Sequence, residues 1–228
     1  MTKTITIASR GKSMTAELYT PAGPTANGLI VIAYGSDGLT DDLNGPWATM
    51  IRGYANALAG KGFSALIPDY LAITPNTQPG PGVFEMIPHC RDSWQGAISD
   101  AIDHATTLPM IDPKRVGLLG FSLGGHLCLR LRAKAKVLVE FFSPVFDGIG
   151  SGGSLTHAQI HHGEKDLLAA TGFPNAVTIA DTLKHEGTVT ELFPYPGAGH
   201  GFIGSDQGNT SARDLSQVRT LSLFQAHL

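Results

Sequence analysis

The sequence predicts an α/β protein built on an open, mostly parallel sheet with helices on both faces. Apolar-rich runs stand at residues 29–33, 64–67, 116–119, 137–142 and 189–193, as strands buried on both faces of a parallel sheet require. Segments of helical period separate them, at 47–60, 91–107, 126–134, 175–185 and 213–226, and such alternation belongs to a doubly wound sheet. A length of 228 residues suits one domain, 1–228, with chain enough to bury a core.

Residues 4–8 and 14–20 alternate polar and apolar around the turn Ser9-Arg10-Gly11-Lys12 and read as an antiparallel edge pair. The first buried strand, 29–33, leads into Tyr34-Gly35-Ser36-Asp37-Gly38, and the helix at 47–60 follows. Asp41 and Asp42, near Asn44, are expected to cap that helix rather than to bind a cation. After strand 64–67, residues 70–89 carry prolines at 75, 79, 81 and 88 and weak periodicity. They read as a long loop at the C-terminal end of a central strand, where open α/β sheets bind ligands. Strand 116–119 then meets Gly120-Phe121-Ser122-Leu123-Gly124 and a helix. A short strand near 159–162 breaks at Gly163, and the run from Pro194 to Phe202 is rich in turn formers.

Charged residues make up 15% of the chain and the net charge is −3, so no basic surface awaits nucleic acid or anionic lipid. No apolar stretch reaches membrane-spanning length, and the alternating N-terminus lacks an apolar signal region, from which a cytoplasmic protein is expected. Cys90 and Cys128 show no metal or redox spacing. His157, His161 and His162 read as structural, because His161 and His162 are adjacent and point to opposite faces of a strand. His126 is expected to pack within its helix. The glycine pattern at 148–153 precedes a strand-like run rather than a helix, and Gly11-Lys12-Ser13 lacks the first glycine of a phosphate loop. Neither a metal nor a cofactor is expected.

Chemistry concentrates on Ser122. A serine hydroxyl is a weak nucleophile that must be exposed, paired with a base and faced by donors for the oxyanion it creates. G-x-S-x-G on a strand-to-helix turn meets the steric part of that demand, and in this arrangement the acid and then the histidine follow in the chain. Asp166 is the candidate acid, with Glu164 as the alternative, and His200 on its glycine-flanked loop is the candidate base. The amide of Leu123 is one expected oxyanion donor and that of Ser36 the other, with Asp37 as the neighbouring alternative.

In order and spacing, Tyr34-Gly35-Ser36-Asp37-Gly38, Pro68-Asp69-Tyr70, Gly120 to Gly125, His162 to Asp166 and Gly199-His200-Gly201-Phe202 resemble the dienelactone hydrolase family of α/β-hydrolases. The resemblance implies the α/β-hydrolase fold without a large cap, cofactor-free hydrolysis of small esters or lactones, and a triad of Ser122, Asp166 and His200. Four positions depart from the name-giving members: serine replaces cysteine at 122, Gly35 stands where they carry a glutamate, and Ile73 and Gly204 stand where arginines hold an anionic substrate. A neutral ester is therefore expected, in a pocket lined by Tyr34, Ile73, Phe121, Phe202 and part of 83–94. The expected protein is a monomer or homodimer whose partner is that small molecule. The alternatives are a non-catalytic ligand-binding protein of the same fold, or peptidase, polyesterase or perhydrolase activity on the same triad.

Overall fold

The computed structural model describes residues 1–23, 27–75, 77–153 and 155–228. Its eight strands form one mostly parallel α/β sheet, the fold class expected. Two compact units divide the chain, Met1–Gly117 and Leu118–Leu228.

The first unit holds β1 (Thr2–Ser9), β2 (Lys12–Tyr19), β3 (Asn27–Ala33) and β4 (Ser64–Pro68), in the order β1-β2-β4-β3. Arg10 and Gly11 both have positive φ, 51° and 74°, and make the tight turn that sets Ser9 opposite Lys12 in the antiparallel β1–β2 ladder. β2 runs antiparallel to β4, and β3 runs parallel to it. Every residue of β3 and β4 is buried, which explains the apolar runs at 29–33 and 65–67 within them.

Helix α1 (Trp47–Gly60) buries Trp47, Ala48, Ile51, Tyr54, Ala55 and Leu58, one stripe of helical period. Asp41 caps it from the preceding loop, accepting from the backbone N–H of Thr49 at 3.0 Å and from its hydroxyl at 2.7 Å. Helix α2 (Val83–Ala105) corrects the expected loop, beginning at Val83 rather than at Arg91. Pro88, the sixth residue of the helix, lacks the N–H that would bond the carbonyl of Phe84, and its ring crowds that carbonyl, at a cost of about 3 kcal/mol. Val83 and Ile87 extend the buried stripe of Trp94, Ala97, Ile98, Ala101 and Ile102, and that burial overrides the proline signal. Trp94 is wholly buried, its Nε1–H bonded to Thr74 Oγ1 at 2.7 Å.

Strand β5 (Ile111–Phe121) begins in the first unit and ends in the second, where α3 (Leu123–Arg130) follows it. The second unit adds β6 (Val137–Phe141), β7 (His157–Gly163), α4 (Pro174–His185), β8 (Val189–Tyr195) and α5 (Gln207–His227). β6, β7 and β8 are consecutive parallel neighbours. Asp206 caps α5 by accepting from the N–H of Asn209 at 3.0 Å. Among the described residues no helix is long and apolar enough to cross a membrane.

Candidate active site

Ser122 sits between β5 and α3 with φ 52° and ψ −119°, a conformation that costs a non-glycine residue energy and persists only where its surroundings hold it. Two backbone bonds hold it. Its N–H donates to the carbonyl of Phe141 at 2.9 Å, and its own carbonyl accepts from His126 N–H at 3.1 Å to start α3. Leu123 is the first residue of that helix, where N–H groups have no acceptor within the helix.

The elbow depends on bare backbone at Gly120. A Cβ there would stand 2.4 Å from the Cα of Gly125 and 2.7 Å from the carbonyl oxygen of Gly124, whereas a Cβ on Gly125 would chiefly meet Ser143 Oγ, which can rotate away. Gly120→Ala is expected to cost about 3 kcal/mol or more in a urea unfolding experiment, and Gly125→Ala about 1–2 kcal/mol. Equal losses would contradict this account of the turn.

The expected acid and base are brought together. His200 Nδ1 lies 2.8 Å from Asp166 Oδ2. Of the two candidate carboxylates, Glu164 is exposed while the Asp166 side chain is wholly buried and turned toward His200. The loops that carry them are joined by backbone bonds, from Glu164 N–H to the carbonyl of Tyr195 at 3.1 Å and from Lys165 N–H to that of Ala198 at 2.9 Å. His200 opens a short 3-10 turn, His200–Phe202, and Gly199 N–H is anchored to Asn209 Oδ1 at 3.1 Å. Phe142 packs edge-on to the His200 ring at 4.7 Å, next in the chain to the Phe141 carbonyl that anchors Ser122. All three residues of the expected triad therefore lie in the second unit, around the end of β6.

Asp166 is saturated with donors. Oδ2 also faces His162 Nε2 at 3.1 Å, and Oδ1 accepts from Leu168 N–H and from the Thr171 hydroxyl, each at 3.1 Å. Burial alone would raise its pKa, but the bonds from His162 and His200, the charge of His200 and the Leu168 amide outweigh it and hold the carboxyl well below its usual range. Sequence reasoning missed the place of His162, which it took for a structural residue. Its only signal was the position four residues before the acid, at the end of the same strand. His161 does point the other way, stacked on Phe141 at 4.6 Å with Nδ1 2.8 Å from the Tyr195 hydroxyl. Burial, then the charge of Arg219, pushes it down to about 3, so it is neutral.

Glu140 on β6 is wholly buried and pushed up to about 7 by burial, against the opposing pull of His162 and of the bonds from Ser143. An unfolded glutamate titrates near 4.3, so from about pH 4.3 to 7 the folded chain keeps a proton that the unfolded chain releases. The stability of the protonated state is complete below that window and is lost as pH rises through it. Glu140→Gln retains an acceptor for Ser143 N–H and removes the titration. Relative to wild type it is expected to gain on the order of 2 kcal/mol between pH 4.5 and 8 in urea titrations. Parallel pH dependences would refute this.

Phe121 and Phe202 are buried in an aromatic cluster with Phe141 and Phe142, at 1% and 2% exposure. In the first unit, Tyr34 is buried against Tyr70 at 4.6 Å and donates its hydroxyl to Asp69 Oδ1 at 2.7 Å, while Ile73 is buried in the turn Tyr70–Ile73. The segment after Tyr34 is fixed by Tyr70 Oη–H on the Tyr34 carbonyl at 2.7 Å and by Gly80 N–H on the Ser36 carbonyl at 2.9 Å. Gly204 has φ 119°, and the carbonyls of Gly204 and Phe202 both accept from Arg213.

The sequence matches the dienelactone hydrolase family over residues 14–228. A protein of Synechocystis sp. provisionally named a carboxymethylenebutenolidase is 28% identical over 201 residues, which cover 78% of this chain and 80% of that one. Among solved structures, a dienelactone hydrolase-like promiscuous phosphotriesterase from metagenomic libraries superposes with a TM-score of 0.80 at 19% identity, covering 100% of this chain and 98% of that one. A Thermogutta terrifontis esterase with bound propionate gives 0.71 at 18% identity, covering 97% and 94%.

Proposed function

The chain belongs to the dienelactone hydrolase family of hydrolases, and from that premise we propose that it is a serine carboxylesterase or lactonase acting on small neutral esters through an acyl-enzyme on Ser122. The observation that carries this reading is the buried Asp166 carboxylate bonded to His200 Nδ1, in the same unit as a serine held at positive φ on a strand-to-helix turn. With its Nδ1–H donated to Asp166, His200 keeps Nε2 bare to take the proton of Ser122 Oγ as that oxygen attacks the carbonyl. The N–H of Leu123 is one donor to the oxyanion, and on the sequence motif that of Ser36 is the second. His200 then protonates the leaving alcohol, and a water activated by the same nitrogen releases the acid.

Substrate charge follows from Ile73 and Gly204. Neither offers a cation for a carboxylate-bearing lactone, and the Arg213 guanidinium beside Gly204 is already committed to backbone carbonyls. A fluorophosphonate probe followed by mass spectrometry of peptides tests the mechanism. Covalent labelling of Ser122 is expected, and an unchanged mass would favour the non-catalytic, ligand-binding alternative.

A further inference from the structure

We propose that His162 is a positioning residue for the Asp166–His200 pair and that Glu140 holds His162 in that role from the neighbouring strand. Asp166 Oδ2 is shared by two imidazoles, His200 Nδ1 at 2.8 Å and His162 Nε2 at 3.1 Å. An ionised carboxylate offers only lone pairs, so both nitrogens must carry protons. The proton on His162 Nε2 is thereby fixed, and so is the one on His200 Nδ1 that leaves its Nε2 free.

The opposite side of the His162 ring supplies the second observation. His162 is wholly buried, with Phe173 edge-on at 5.9 Å, and its Nδ1 has no hydrogen-bond partner in the protein. Glu140 pairs with Ile160 in the β6–β7 register, which places Glu140 on the same face of the sheet as His162. The carboxyl of Glu140 is also wholly buried. Oε2 accepts from Ser143 N–H at 3.1 Å, Oε1 has no hydrogen-bond partner, and the group interacts electrostatically with His162. Two unpartnered polar atoms on adjacent strands thus belong to one acid and one imidazole. The two atoms are not hydrogen-bonded to each other, so the groups act on one another through charge across the strand pair, while the Nε2 proton of His162 stays on the side of Asp166. On this proposal a second acid–imidazole pair backs Asp166 from the neighbouring strand.

Without that donor the Asp166 carboxylate gains proton affinity and holds the His200 Nδ1 proton more strongly, so His200 stays protonated to higher pH. In the His162→Leu variant kcat is expected to fall about tenfold or more, with KM changed less than about threefold. The acid limb of kcat/KM is expected to move up by about half a pH unit or more. His162→Gln, which returns an N–H to the same place, is expected to restore the limb. Because the activity arm rests on the serine hydrolase reading, 15N-histidine NMR of the resting protein is the independent arm. It is expected to find His162 protonated at Nε2, and His162→Gln and Glu140→Gln are expected to shift the low-field proton of His200 Nδ1. If wild type is not labelled by the fluorophosphonate, the hydrolase reading fails and the NMR alone decides on His162. If wild type is labelled, but the pH limb and the His200 proton are the same in every variant, the role proposed for His162 and Glu140 is wrong.

Discussion

Ser122→Ala is expected to lower turnover of short-chain p-nitrophenyl esters by about 10⁴- to 10⁶-fold, leaving KM close to the wild-type value. The size of the loss follows from the role of the atom removed. On the proposed mechanism the reaction runs through this one oxygen, and the oxyanion donors and binding contacts that would remain account only for the residual rate. The change should be almost silent in stability, within about 1 kcal/mol. The interactions that hold Ser122 at positive φ are its backbone bonds to Phe141 and His126, which alanine keeps. A folded variant with near-complete loss of turnover therefore separates chemistry from architecture. Wild-type turnover by the alanine variant in a clean preparation would overturn the mechanism.

Asp166→Asn is expected to cost about 10⁴-fold in kcat, for a different reason. The amide keeps the shape of the carboxylate and can still accept from Leu168 N–H and the Thr171 hydroxyl. Its NH₂ would face His162 Nε2 and His200 Nδ1, so donors would meet donors. His200 relieves the clash by moving its proton to Nε2, which removes the base. Asp166 also contributes to acid stability. Its carboxyl is held well below the ordinary value although burial opposes ionisation, so its contribution is present above about pH 3.9 and lost as pH falls further. The variant should lack that part of the acid unfolding transition. An asparagine variant with wild-type kcat would show that Asp166 does not orient the base.

The strands and α1 were readable because each is decided by a local period. Residues 29–33 and 65–67 are apolar throughout and buried throughout, and Trp47–Gly60 carries one stripe. The start of α2 was not readable, since the burial of Val83 and Ile87 outweighs the cost of a proline inside the helix. The same division holds in the site. Ser122 and His200 stand in turns whose glycines announce them, and Asp166 follows a strand end, but Glu164 and Asp166 could not be told apart because which carboxylate turns inward is a matter of three-dimensional packing. His162 and Glu140 were invisible as a pair, because adjacency across parallel strands leaves no spacing in the sequence.

The backbone bonds that tie the Glu164–Lys165 segment to Tyr195 and Ala198 give the catalytic apparatus a seam. On one side, the proposed acid and base are held together by these bonds; on the other, the proposed nucleophile is carried by a turn with its own glycines and its own anchor. On the proposed reading, a thiol in place of the hydroxyl at position 122 would leave the Asp166–His200 pair as it stands, because none of the hydrogen bonds that hold that pair involves Ser122.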